Sequence, residues 1–149
     1  MLKKITFKSL VLSLALTMVL SVSAFAISAE TINKVNTTNN QINQMISAAV
    51  AQANQYTSNY QSKVVAEKAK LTKDINQNTV INQRIYAYTN DYNNQINDLG
   101  NNLVSNAYNK VLDLYNATSR DGVTLSCEYI PVKLGDKIFL VDPLRFVCR

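Results

Sequence analysis

The chain has 149 residues, within the roughly 100–200 residues of a single domain, and a formal net charge of +5. It contains no His, no Trp, 3 Gly, 2 Pro and 2 Cys, against 19 Asn and 8 Gln. Without His there is no Ser-His-Asp triad, no Cys-His pair and no His-ligated metal, and three Gly leave little for a phosphate-cradling loop.

Residues 1–26 read as a secretory signal peptide. Lys3, Lys4 and Lys8 form a basic start, residues 10–20 are apolar apart from Ser13 and Thr17, and Ala24-Phe25-Ala26 places small residues at the −3 and −1 positions. Cleavage is expected after Ala26. The competing reading is an uncleaved signal anchor, for which residues 10–26 are at the short end of a membrane span. No Cys stands at the cleavage site to carry a lipid. No second long apolar run follows, so no stable membrane association is expected after cleavage, and the mature chain is read as secreted or extracytoplasmic.

Loss of the leader removes three Lys. Residues 27–149 then carry 12 basic and 10 acidic side chains, net +2, and the basic ones are scattered. Nucleic acid needs a basic patch or stripe, so no nucleic-acid partner is expected.

The mature chain divides in composition near residue 118. All 19 Asn lie between Asn33 and Asn116, whereas both Pro and both Cys come after Gly122. Residues 27–118 carry an apolar stripe in 3-4 spacing: Ile32, Val35, Ile42, Ile46, Ala49, Ala53, Tyr56 and Tyr60, with Asn39 in the series. After a four-residue step to Val64 and a weak stretch at 65–70, where Glu67 or Lys68 occupies the seam, it resumes with Leu71, Ile75, Ile81, Ile85, Tyr88, Tyr92, Ile96, Leu99 and Leu103. Asn78 interrupts this second run, and Ala107, Val111 and Leu114 extend it. This period predicts a mainly α protein, a long amphipathic coiled-coil helix or a helical hairpin.

The polar face is Asn and Gln. Three charge pairs fall at i,i+4: Glu30 with Lys34, Lys63 with Glu67, and Lys70 with Asp74. Each contributes about 0.2–0.5 kcal/mol, whereas the Asn residues together cost on the order of 10 kcal/mol against an Ala helix. Such a helix must bury its stripe, either on itself or on another copy. Three courses remain open: a bend at 73–79, where Asp74 and Gln77 form a capping pattern; a bend at Gly100, a left-handed C-terminal residue; or an unbroken rod of about 134 Å.

Residues 119–149 read as a small β-rich cap. Residues 123–129 alternate, Gly135-Asp136 is a two-residue hairpin turn with Gly first, and Ile138-Phe139-Leu140-Val141 is a strand. Asp142-Pro143 predicts a further turn, with 144–148 a third short strand. Pro131 requires an edge or a bulge. So small a cap needs a staple or packing against the helix end. Cys127 and Cys148 in an exported chain are expected to form a disulfide, contributing roughly 3 kcal/mol in the chain-entropy model if it is intrachain, with an interchain bridge as the alternative.

No motif carries catalysis or binds a cofactor or metal. Residues 91–98 are rich in oxygen ligands, but Ile96 stands where a calcium loop needs Gly, and Asn102 where it needs Glu. Asp91 and Asp98 lie about 10.5 Å apart along a helix, too far for a retaining-glycosidase pair. Asn39 and Asn78 are candidate seam residues that set register and oligomer state. Tyr56, Tyr60, Tyr88 and Tyr92 lie on the stripe and read as packing, so Tyr86, Tyr108 and Tyr115 are the candidate surface contacts. The expectation is a secreted, non-enzymatic coiled-coil protein that self-associates or binds another protein, with a cell-wall or cell-surface glycan module as the alternative. An Asn-Ile-Lys-Tyr bias points to an AT-rich bacterial genome.

Overall fold

The computed structural model describes residues 28–119, 124–141 and 144–147. Residues 1–27, with the expected cleavage-site residues Ala24 and Ala26, lie outside the described residues, as does Cys148. Two helices, α1 (Ala29–Lys68) and α2 (Ile75–Thr118), are followed by β1 (Thr124–Cys127), β2 (Ile130–Leu134), β3 (Lys137–Val141) and β4 (Leu144–Val147).

The chain takes the first of the three courses. It turns between Lys68 and Ile75, and the helices return as an antiparallel hairpin. Ser28 caps α1, accepting from the Thr31 N–H at 3.1 Å. Asp74 caps α2, its Oδ1 accepting from the N–H groups of Asn76 at 2.9 Å and Gln77 at 3.4 Å. The Asp74 N–H itself donates to Thr72 Oγ1, so the acidic cap and a threonine share the work of a capping box. No Gly or Pro is needed at this bend, because Ala69, Lys70 and Leu71 donate back to the last carbonyls of α1.

Cross-helix contacts join Thr57 to Tyr92, Tyr60 to Thr89, Lys63 to Tyr88 and Glu67 to Arg84, so paired residue numbers add to about 150 throughout. That register brings the two halves of the stripe together. Val35, Ile42, Ala49 and Ala53 of α1 and Ile96, Leu103, Ala107, Val111 and Leu114 of α2 are buried in one core. Leu71 and Ile75, which fit the stripe by spacing, are instead exposed at 45% and 80%. They sit at the bend, where the two seams diverge. Glu67 occupies the seam as its spacing requires. It pairs with Lys70 at 2.7 Å and lies 3.8 Å from Arg84, not with Lys63, whose ammonium lies over the Tyr88 ring. Asp74 is engaged as the cap and leaves Lys70 to Glu67, while the pair Glu30 with Lys34 forms as spaced.

The β segment is one antiparallel hairpin in two stretches. β2 pairs with β3, from Ile130 opposite Val141 to Leu134 opposite Lys137. β1 pairs with β4, from Thr124 opposite Val147 to Cys127 opposite Leu144. Both stretches keep the same register, so β4 continues the hairpin and is not a third strand of a meander. Gly135 takes φ 60 at the two-residue turn, a conformation that side chains disfavour. Pro131 stands opposite Leu140 without a slip in register; a two-stranded ribbon has only edges, which tolerate the missing donor.

The hairpin packs on the middle of the helical pair as well as following its end. Val132, Leu134 and Val141 join the helical core. Gly100 lies inside α2, not at its end, and a Cβ there would collide with the Phe139 ring. Its lack of a side chain makes a notch for Phe139. A Cβ on Gly135 would likewise collide with the Tyr92 hydroxyl, so the hairpin tip rests on α2 at Tyr92 and Ile96. Lys137 Nζ donates to Asn97 Oδ1 at 2.7 Å beside it.

Candidate functional site

The tyrosines fall into two groups. Tyr60 and Tyr92 stack between the helices, centroids 4.7 Å apart and planes 14° from parallel. Their hydroxyls meet Thr89 and Thr57 at 3.1 and 3.2 Å, so both polar ends find partners across the seam. Tyr56 accepts from Gln52. Tyr86, Tyr108 and Tyr115 are exposed at 69%, 55% and 52%. They share one face of α2 by helical spacing, but they are not one site. Tyr86 lies about 33 Å along the axis from Tyr108, and the hairpin tip meets α2 at positions between them.

Tyr108 instead joins residues that sequence reasoning passed over. With Val104, Asn101 and Ser105 of α2 and Tyr129 and Leu140 of the hairpin it lines a shallow groove of about 350 Å³. Leu112 and Tyr115, four and seven residues beyond Tyr108, continue the apolar line at 41% and 52% exposure. On the hairpin, Ile138 and Leu140 lie on the strand face opposite to Phe139 and Val141, at 66% and 55% exposure, with Leu140 and Tyr129 (64%) on the edge of that groove. A signal for them existed: residues 138–141 are apolar without alternation, the pattern of a strand covered on both faces.

The two seam asparagines have different surroundings. Asn39 is buried in α1 between Val35 and Ile42. Asn78 is half-buried in the first turns of α2, away from the α1–α2 layers. Its Oδ1 accepts the Thr72 N–H at 3.0 Å and its Nδ2 donates to the Thr72 carbonyl at 2.8 Å. Both ends of its amide thus hold the interhelical turn. Cys127 lies in β1 opposite Leu144, and its expected bridge to Cys148 lies outside the described residues.

Other concave or charged regions offer less. A polar groove of about 730 Å³ runs between the start of α1 and the end of α2, with Glu30, Lys34, Lys110 and Asp113 on its walls. Asp91 and Asp98 are exposed on a continuous helix, and Asp91 accepts from Gln95. Among the described residues no three His, Cys, Asp or Glu side chains gather as a metal site, and no helix is long and apolar enough to cross a membrane.

Comparison with protein-family models, curated proteins and solved structures finds no match.

Proposed function

We propose that the chain is an exported, non-catalytic interaction protein that works by associating with itself or with another protein. The observation that carries this reading is the division of its apolar surface. The seam that a coiled coil would offer to other copies is filled within the chain by α1 against α2, while a second set of large apolar side chains stands in water on α2 and the β-hairpin. Apolar area gathered in one place on a soluble surface marks an interaction site.

Export follows from the leader, and an oxidising compartment favours a Cys127–Cys148 bridge. The ladder sets a condition on that bridge. Val147 stands opposite Thr124, three residues from Cys127, which is about 10 Å along a strand. A disulfide needs Cα atoms within about 7 Å. An intrachain bridge therefore requires the chain after Val147 to turn back toward β1, whereas an interchain bridge does not.

The test is to express the full chain in a secreting host and purify the exported product. An N-terminus at Ile27 and a light-scattering mass of two or more chains would support the reading. A product retained in the cell, or a single-chain mass at all concentrations, would count against export or self-association respectively. Electrophoresis without reductant distinguishes intrachain from interchain bridging. Tyr86 keeps the glycan alternative open, since it is exposed at 69% and lies about 33 Å along α2 from Tyr108 of the apolar set. Sedimentation of the product with purified cell walls, lost in Tyr86→Ala, would favour that alternative.

A further inference from the structure

We infer that the face formed by Tyr108, Leu112, Tyr115, Tyr129, Ile138 and Leu140 is the contact between two copies of this chain, related by a two-fold axis. This rests on the self-association reading above and names its surface. Three observations carry it.

The first is area. The six side chains are 41% to 66% exposed. At roughly 200 Å² for a large side chain in water, they present about 670 Å² together. That is just above the range of about 300–600 Å² for the largest patch on a monomer. Two such faces apposed bury about 1,300 Å² before any rim is counted, which reaches the size of a specific, stable interface.

The second is pattern. Residues 138–141 are apolar at every position. Phe139 and Val141 face the helices and account for half of that run. Ile138 and Leu140 lie on the other face of the strand and stay 66% and 55% exposed among the described residues. An unbroken apolar run is the pattern of a strand packed on both sides, and the vacant side is the one that a second copy fills.

The third is charge. The six include no Asp, Glu, Lys or Arg, so the face meets itself without like-charge repulsion among them. A two-fold contact uses one patch on both partners and asks only that it be self-complementary. A membrane surface is the other apolar partner to consider. Interfacial binding usually draws on Lys and Arg flanking the apolar face, and among the described residues of the hairpin's outer face only Lys133 serves, opposite Ile138.

The experiment uses the exported product, with light-scattering mass read across a dilution series with and without reductant. Wild type is expected to be a dimer in both conditions. Leu140→Lys and Ile138→Lys are expected to weaken it at least tenfold in Kd, to a single-chain mass at micromolar concentration. Both positions are exposed, so the helical circular dichroism and melting temperature should hold, and Tyr86→Lys, outside the face, should remain dimeric. A dimer that survives both hairpin variants would overturn this surface and leave self-association standing. A dimer that dissociates on reduction and ignores the variants would assign the contact to a disulfide instead. A wild-type monomer would overturn both the surface and the self-association reading, and a monomer that binds phosphatidylcholine–phosphatidylglycerol vesicles would give the face to a membrane.

Discussion

The two ends of the helical hairpin are built from similar sequence and held by different means. Toward the open end, Val35, Ile42, Leu103, Ala107, Val111 and Leu114 form an aliphatic core that also encloses Thr31, Asn39 and Thr118. Toward the bend, the seam contains Tyr60 on Tyr92, a buried Glu67 facing Arg84, and half-buried Val64 and Ile85. The middle is where Leu134, Val132 and Phe139 of the β-hairpin add a third layer. Asn-rich helices with little intrinsic stability are thus held mainly by aliphatic burial at one end and by an aromatic stack and cross-helix polar contacts at the other. The two solutions should fail differently.

The largest expected effect is at the buried centre. Ile96→Ala or Ile42→Ala, both at 0% exposure, should cost about 2–5 kcal/mol by loss of burial and the cavity left behind. Ile85→Ala, half-buried near the bend, should cost about 1 kcal/mol. Equal losses in urea melts would erase the contrast between the two ends.

Next comes the notch. Gly100→Val drives a side chain into the Phe139 ring, and overpacking of this kind costs about 1–3 kcal/mol. The discriminating readout is hydrogen exchange: amides of β2 and β3 should lose protection while those near Ile42 keep theirs. Uniform loss along both helices would show that the β-hairpin and helices unfold as one unit.

The bend is held by fewer atoms. Asp74→Ala should cost about 1 kcal/mol as a lost N-cap. Asn78→Ala, which frees the Thr72 N–H and carbonyl, should cost a similar amount, about 1–2 kcal/mol for the pair of bonds. The two should be non-additive, because both act on residues 72–78. Asn78→Ile should also destabilise, whereas a seam position would gain from the apolar side chain. A rise in melting temperature in Asn78→Ile would remove its role in the turn.

The smallest effect is at the exposed pair of Glu30 with Lys34, side chains 76% and 42% exposed. Glu30→Gln should change stability by less than about 0.5 kcal/mol, and less still at high salt. A larger loss would show that charge at the start of α1 matters more than solvent screening allows.

Much of the architecture was legible as local pattern. The helix limits near residues 29 and 117, the turn at Gly135-Asp136 and the strand at 138–141 all follow from features that act within a few residues: caps, period and glycine. Asp74 was legible as a cap for the same reason. The exposed tyrosines were separable from the packed ones because stripe position predicts burial. The proposed contact face was only half legible. Tyr108 and Tyr115 were found by exclusion from the stripe, but Leu112, Tyr129, Ile138 and Leu140 needed knowledge of which faces the fold leaves exposed.

What the sequence determined by itself, then, is the elements and the amphipathic stripe. A rod, a hairpin bent at Asp74 and a hairpin bent at Gly100 all carry that same stripe, so period cannot choose among them. Tertiary contact chose. Gly100 signals a helix end when read locally, yet here it is a gap filled by Phe139, some forty residues away. Asn78 looks like a seam interruption, yet it clasps the backbone of Thr72 once the chain has turned. The hairpin's place on the helices depends on Gly100, Tyr92 and Asn97 lying along one side of α2 at the spacing that Phe139, Gly135 and Lys137 present to them. Such matches join segments far apart in sequence, and they acquire an energy only when the chain brings them into contact.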